Sequence, residues 1–345
     1  MSAQPPDSLE DIALRMVTPG KGILAADESS GTIKKRFDAI GVASTEENRR
    51  DYRELLFRSN EAMRNYISGV ILYDETIRQK AKDGTPLVDL IKASGAIPGI
   101  KVDKGSQPLP GFPGDTITEG LDGLRQRLAE YYELGARFAK WRAVIDIDTA
   151  KSVPSATSIA ANAHALARYA ALCQEAKIVP IVEPEVLMDG SHDIDTCYDV
   201  TKAVLVKLYD ELYAARVVLE GTVLKPNMVI AGKKSGKKNS PEEVAEKTIK
   251  VFRETVPAAV PGIAFLSGGQ SDEEATANLS AINAIGPHPW KLTFSYGRAL
   301  QAAPQKAWSG KTENVAAAQR AFLHRARMNG LASLGNWTTE AEKAA

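Results

Sequence analysis

Ile178-Val-Pro-Ile-Val-Glu-Pro-Glu185 (IVPIVEPE) contains, in eight residues, the pattern that decides the fold. A short apolar run, Ile178–Val182, leads into two carboxylates two positions apart, Glu183 and Glu185. A run this short, continuous and β-branched reads as a strand buried on both faces, because a half-exposed strand would alternate polar and apolar residues. Seven other segments repeat the pattern. They are Gly22–Ala26 (GILAA), Gly69–Tyr73 (GVILY), Ile97–Val102 (IPGIKV), Arg137–Val144 (RFAKWRAV), Thr222–Leu224 (TVL), Ile263–Leu266 (IAFL) and Lys291–Phe294 (KLTF).

Helical patterns separate these runs. Residues 157–176 carry Ile159, Ala163, Leu166, Ala167, Ala170 and Cys173 on one stripe, and residues 193–214 do the same with Ile194, Cys197, Val204, Leu205, Leu208 and Leu212. Ser240-Pro-Glu-Glu243 and Ser271-Asp-Glu-Glu274 read as capping boxes that open two further helices. Strands alternating with helices predict βα units on a parallel sheet. Eight units without a G-x-G-x-x-G fingerprint favour a closed α/β (β/α)8 barrel over a doubly wound open sheet. The 345 residues, 44% of them hydrophobic, suffice for one such domain. Residues 1–7 and 334–345 are expected to be mobile tails.

In a barrel of this kind, chemistry gathers where the strands end. The first run leads into Asp27-Glu28-Ser29, and the third into Lys101. The fourth carries Lys140 and Arg142, and the fifth leads into Glu183 and Glu185; each pair is two apart and so shares a face. The sixth is followed by Lys225-Pro-Asn227, the seventh by Ser267-Gly-Gly269, and the eighth by Ser295-Tyr-Gly-Arg298. Any one of these charges alone reads as a structural ion pair. Together they are more than packing requires, since buried charge is costly unless paired or used.

The residue types suggest the chemistry. A lysine in an apolar pocket beside a second cation is pushed toward the neutral amine, which attacks ketones to give a protonated imine; neighbouring carboxylates then move the protons. Lys225 is the candidate amine and Lys140 the neighbouring cation, with Glu183, Glu185 and Asp27 for acid–base work. Ser267, Gly268, Gly297 and Arg298 offer backbone N–H groups and a guanidinium after strands seven and eight, where this fold commonly holds phosphate. Lys101, Arg142, Ser29 and Thr32 lie across the mouth, available to a second anion. A sugar carrying two phosphates would bridge the two sites.

Several partners are not expected. Lys+Arg and Asp+Glu both total 43, so no overall basic excess points to nucleic acid or an anionic membrane. The four histidines (His164, His192, His288, His324) are dispersed without an HxxxH or CxxC pairing, so no metal is expected. Two cysteines, Cys173 and Cys197, make no disulfide scaffold, and Met1–Leu9 does not read as a secretory signal; a cytoplasmic location is expected. Lys233–Asn239 (KKSGKKN) reads as a solvated basic turn.

These segments resemble class I (Schiff-base) fructose-bisphosphate aldolase. The resemblance lies in LAADESSGTIKKR from Leu24, GIKVDKG from Gly99, FAKWRAV from Phe138, IVEPEVLMDG from Ile181, LEGTVLKPNMV from Leu219, FLSGGQS from Phe265 and LTFSYGRALQ from Leu292. It implies cleavage of fructose 1,6-bisphosphate to dihydroxyacetone phosphate and glyceraldehyde 3-phosphate through an imine on Lys225, without a metal. Glu183 is then the main acid–base residue, assisted by Asp27, Lys140 and Glu185. Ser267, Gly268, Ser295, Gly297 and Arg298 would hold the C1 phosphate, and Ser29, Lys101 and Arg142 the C6 phosphate. Thr32 stands where the family commonly has serine and keeps the hydroxyl. The resemblance also implies a homotetramer. Many members end in a tyrosine that enters the site; here the last tyrosine is Tyr296, so either another group performs proton exchange or that step is slower. Another Schiff-base barrel, such as a transaldolase, and a non-catalytic scaffold are the alternative readings.

Overall fold

A computed structural model describes residues 7–344. Its centre is a closed barrel of eight parallel strands, taken in chain order around the ring: Gly22–Ala26, Ile67–Leu72, Ile97–Lys101, Phe138–Ile145, Val179–Val186, Val223–Leu224, Gly262–Phe265 and Lys291–Tyr296. The first strand closes on the eighth, Leu24 facing Tyr296. The (β/α)8 barrel read from the sequence is therefore the fold.

Three strands run further than the apolar residues alone suggest. The fourth extends to Ile145, the fifth to Val186 and the eighth to Tyr296, so Glu183, Glu185 and Ser295 lie inside strands rather than beyond them. The ladder continues through the charges, Arg142 facing Glu183 and Val144 facing Glu185. Opposite charges on adjacent strands satisfy one another there, so the polar layer costs the sheet little. The sixth strand is the shortest, with Leu224 facing Ile263 on one side and Val182 on the other. Between strands three and four a small antiparallel hairpin, Ser106–Pro108 with Thr116–Thr118, lies outside the barrel.

The helices follow the stripes. Ala156–Glu175 and Ile194–Ala214 bury those apolar faces against the barrel. Ser271 and Glu274 form the full reciprocal capping box. Ser240 makes only half of one: its hydroxyl accepts from Glu243 N, while the Glu243 carboxylate is taken by Asn239 Nδ2 at 2.9 Å. The Lys233–Asn239 turn supplies that competing donor.

The bottom of the barrel is closed by the helix Leu9–Met16. Its Ile12, Ala13 and Met16, with Val17, pack on inward-facing Ile23, Ile71, Ile97, Phe138, Val179, Ile181, Val223 and Ala264. At the other end of the chain a short helix, Thr339–Lys343, sits against the helix Val315–Ala332. Glu342 holds it there: its carboxylate pairs with the buried Arg325, lies 2.9 Å from His324 Nε2, and accepts from Trp337 Nε1 at 2.8 Å. The segment expected to be a mobile C-terminal tail thus has a seat in this structure. Of residues 1–7 only Asp7 is described, paired with Arg15.

Candidate active site

Four charged side chains from four strands meet inside the C-terminal mouth. Lys225 Nζ lies 3.2 Å from Glu183 Oε1, and Lys140 Nζ lies 3.4 Å from Glu183 Oε2 and 2.8 Å from Asp27 Oδ2. Lys140, Glu183 and Lys225 are all at least 95% buried. Asp27 and Glu183 thus alternate with two ammonium groups along one line, Asp27–Lys140–Glu183–Lys225. Each comes from a different strand or the residue that follows it, and the parallel ring brings these distant parts of the sequence together.

The electrostatics follow from burial opposed by pairing. Burial alone would raise the Asp27 carboxyl, but the ammonium of Lys140 and then that of Lys225 overcome it and hold the group well below the usual carboxylate range. Glu183 is likewise raised by burial, and Lys225, Lys140 and Arg142 pull it below its ordinary value. Burial would lower Lys140, yet Asp27 and Glu183 win and keep it protonated well above the ordinary lysine value. Lys140 is therefore a fixed cation, and Glu183 is the carboxylate within reach of Lys225 Nζ.

Around this line stand the anion-binding candidates. Arg142 pairs through Nε with Glu185, so Glu185 touches the guanidinium and not either lysine. Lys101 Nζ is 3.6 Å from Asp103, whose other oxygen accepts from Arg142 N at 3.3 Å. Ser29 caps the helix Ser30–Asp38 and its hydroxyl lies 3.1 Å from that of Thr32. Across the mouth, Ser267 is buried and a Cβ on Gly268 would sit 2.6 Å from Leu266 Cδ1, so a larger residue there would have to displace that side chain. Ser295 Oγ is buried with no hydrogen-bond partner among the described residues, so it is available to bond an anion. Arg298, following Gly297, donates to Gln270 O at 2.5 Å.

Sequence reasoning passed over the residues that brace this layer. Gln270 ties the Ser267–Gly269 turn to the Ser267 carbonyl and to Asn278. Glu28 pairs with Arg36, and Gln301 donates to it at 2.8 Å and to Ala25 O at 2.7 Å. Asp103 had a visible signal, an acid two positions after Lys101 at a strand end; the Gln301 contact, 273 residues away along the chain, had none. Among the described residues, no group of three or more His, Cys, Asp or Glu is placed to hold a metal ion.

Residues 8–345 match the family described as "Glycolytic: Fructose-bisphosphate aldolase class-I". The chain belongs to that family. It is 59% identical over 332 residues to the probable class 1 fructose-bisphosphate aldolase of Xanthomonas axonopodis pv. citri, spanning 96% of this chain and 98% of that protein. It is 54% identical to fructose-bisphosphate aldolase C of Mus musculus, covering 98% and 93%. A solved structure of the Plasmodium falciparum fructose-bisphosphate aldolase, in complex with TRAP and a small molecule inhibitor, superposes with a TM-score of 0.93 at 52% identity, covering 96% of this chain and 95% of that one. As a class I aldolase, a lyase, the chain cleaves fructose 1,6-bisphosphate reversibly through a lysine imine and uses no metal.

Proposed function

We propose that Lys225 is the imine-forming lysine and Glu183 the acid–base residue of this aldolase. The observation that carries the reading is the shared carboxylate: Glu183 lies between Lys225 at 3.2 Å and Lys140 at 3.4 Å. Giving a proton to Glu183 leaves Lys225 as the free amine, which attacks the C2 ketone. Glu183 returns the proton to the carbinolamine hydroxyl, which departs as water. The iminium then accepts the electron pair of the C3–C4 bond while Glu183 takes the proton of the C4 hydroxyl, and the aldehyde leaves. Lys140, held cationic between Asp27 and Glu183, stabilises the charge that develops on oxygen.

In this reading the C1 phosphate is held by Ser267, Gly268, Ser295, Gly297 and Arg298, and the C6 phosphate by Ser29, Thr32, Lys101 and Arg142. Glu185 orients Arg142. The test is borohydride reduction in the presence of dihydroxyacetone phosphate, peptide mass mapping, and an EDTA-treated control. A stable adduct on the Lys225 peptide is expected; an adduct elsewhere, or none, overturns the assignment.

Assembly as a homotetramer in the cytoplasm is also proposed. Val206 and Tyr213 on the outer face of Ile194–Ala214 are exposed, which suits burial against a second copy, and both cysteines are free and buried, which suits a reducing compartment. Light scattering coupled to size exclusion tests the first point: a monomer mass of 37.2 kDa would refute it.

A further inference from the structure

The turn after the seventh strand is approached by one cation to which the imine chemistry gives no part. Lys233 N donates to Met188 O at 2.8 Å, within a ladder that also joins Gly232 N to His192 O at 2.8 Å and Lys234 N to Gly190 O at 2.9 Å. The main chain of Lys233 is thereby fixed to the loop after the fifth strand. Its side chain leans the other way, over the Ser267–Gly269 turn. A Cβ on Gly269 would lie 2.4 Å from Lys233 Cε and 2.6 Å from Nζ, and Gly269 has a left-handed backbone, φ +71°. The turn therefore presents bare backbone at the one place where a lysine ammonium rests on it.

The ammonium is held there loosely. Its only ion-pair partner among the described residues is Asp189, 3.1 Å away and itself 60% exposed. Lys233 also borders a cavity of about 470 Å³ shared with Gln270 and Trp337, which gives the side chain room to move. Exposed pairs of this kind are weak and are readily exchanged for a stronger anion.

We propose that Lys233 is a further binding residue for the phosphate held by the Ser267–Gly269 turn and Arg298, leaving Asp189 for the phosphate dianion when substrate binds. The inference rests on the aldolase reading of the same turn. A half-exposed lysine at the rim adds positive potential to the anion site and does not touch the C3–C4 bond, so it acts on KM and leaves kcat alone.

Two measurements test this on the full-length enzyme. Lys233→Met is expected to raise KM for fructose 1,6-bisphosphate and for fructose 1-phosphate alike by about five- to tenfold at low ionic strength, with kcat held and the difference vanishing at about 1 M salt. Lys233→Arg should restore the KM, which a purely structural contact would not do. Titration calorimetry with inorganic phosphate, independent of turnover, should show the same weakening in Lys233→Met. Equal phosphate affinity in wild type and Lys233→Met overturns the proposal whatever the enzyme cleaves. A wild type that binds phosphate but cleaves neither sugar overturns the aldolase reading instead.

Discussion

At the scale of single residues, the site is a row of alternating charges whose value lies in their order. Removing Lys225 removes the proposed nucleophile: Lys225→Met is expected to fold and to lose at least about 10⁴-fold in kcat, read by circular dichroism beside a coupled assay. Removing Lys140 acts differently, because Asp27 and Glu183 then remain buried with one cation fewer. Lys140→Met should cost about 3–5 kcal/mol of stability, measured by chemical denaturation. The acid limb of its kcat/KM profile should move toward neutral pH.

The sign of the pH dependence follows from the shifts. Asp27 and Glu183 are held below their unfolded values, near 3.8 and 4.5, so their contribution is complete above those values and is lost as pH falls through the lower folded ones. Lys140 is held above its ordinary 10.5, so its contribution is complete below 10.5 and is lost only as pH rises past its folded value. The unfolding midpoint of the wild type should therefore be flat at neutral pH and fall at the acid end; a midpoint that rises on acidification would contradict the pairing. Lys225, Glu183 and Asp27 were legible in the sequence because each follows an apolar run, and Lys140 because it is a charge inside one. That Glu185 binds Arg142 rather than a lysine was not legible, since spacing gives the face of a strand and not the rotamer on it.

At the scale of elements, the eight strands were readable from short apolar runs, and the fifth and eighth were ended too early where polar residues entered. Strand five continues through Glu183 and Glu185 because the neighbouring strand supplies the partner, information that no single segment contains. The Ser106–Pro108 and Thr116–Thr118 hairpin escaped for another reason: three-residue, largely polar strands leave no periodicity to detect. The two capping boxes make a paired experiment. Ser271→Ala breaks a complete box and should cost about 1 kcal/mol, whereas the Ser240 box is already half diverted to Asn239. Thermal unfolding of the two alanine variants should place Ser271→Ala lower.

At the scale of the whole molecule, the C-terminal segment is fastened to the barrel's outer ring through one carboxylate. Glu342 meets Arg325, which in turn donates to Thr276 Oγ1 at 2.7 Å and to Asp272 O at 3.2 Å on the helix that follows the Ser267–Gly269 turn. Glu342→Gln should lower stability by about 1.5–3 kcal/mol, because Arg325 is buried and loses its only ionic partner among the described residues. Nothing in the small, polar tail sequence announced that contact, since Arg325 and His324 lie 17 and 18 residues earlier in the chain, on the helix Val315–Ala332.

The helix Leu9–Met16 that seals the floor of the barrel has a consequence for traffic. A vessel stoppered at one end fills and empties through the same opening, so substrate, water and both three-carbon fragments must share a single doorway. The fragment that is not covalently held leaves first. The other waits, tethered as the enamine, until a proton and then a water molecule follow the same path inward to release it. Order of departure is set by that tether, and the stopper on the far side of the barrel obliges both fragments to use one route.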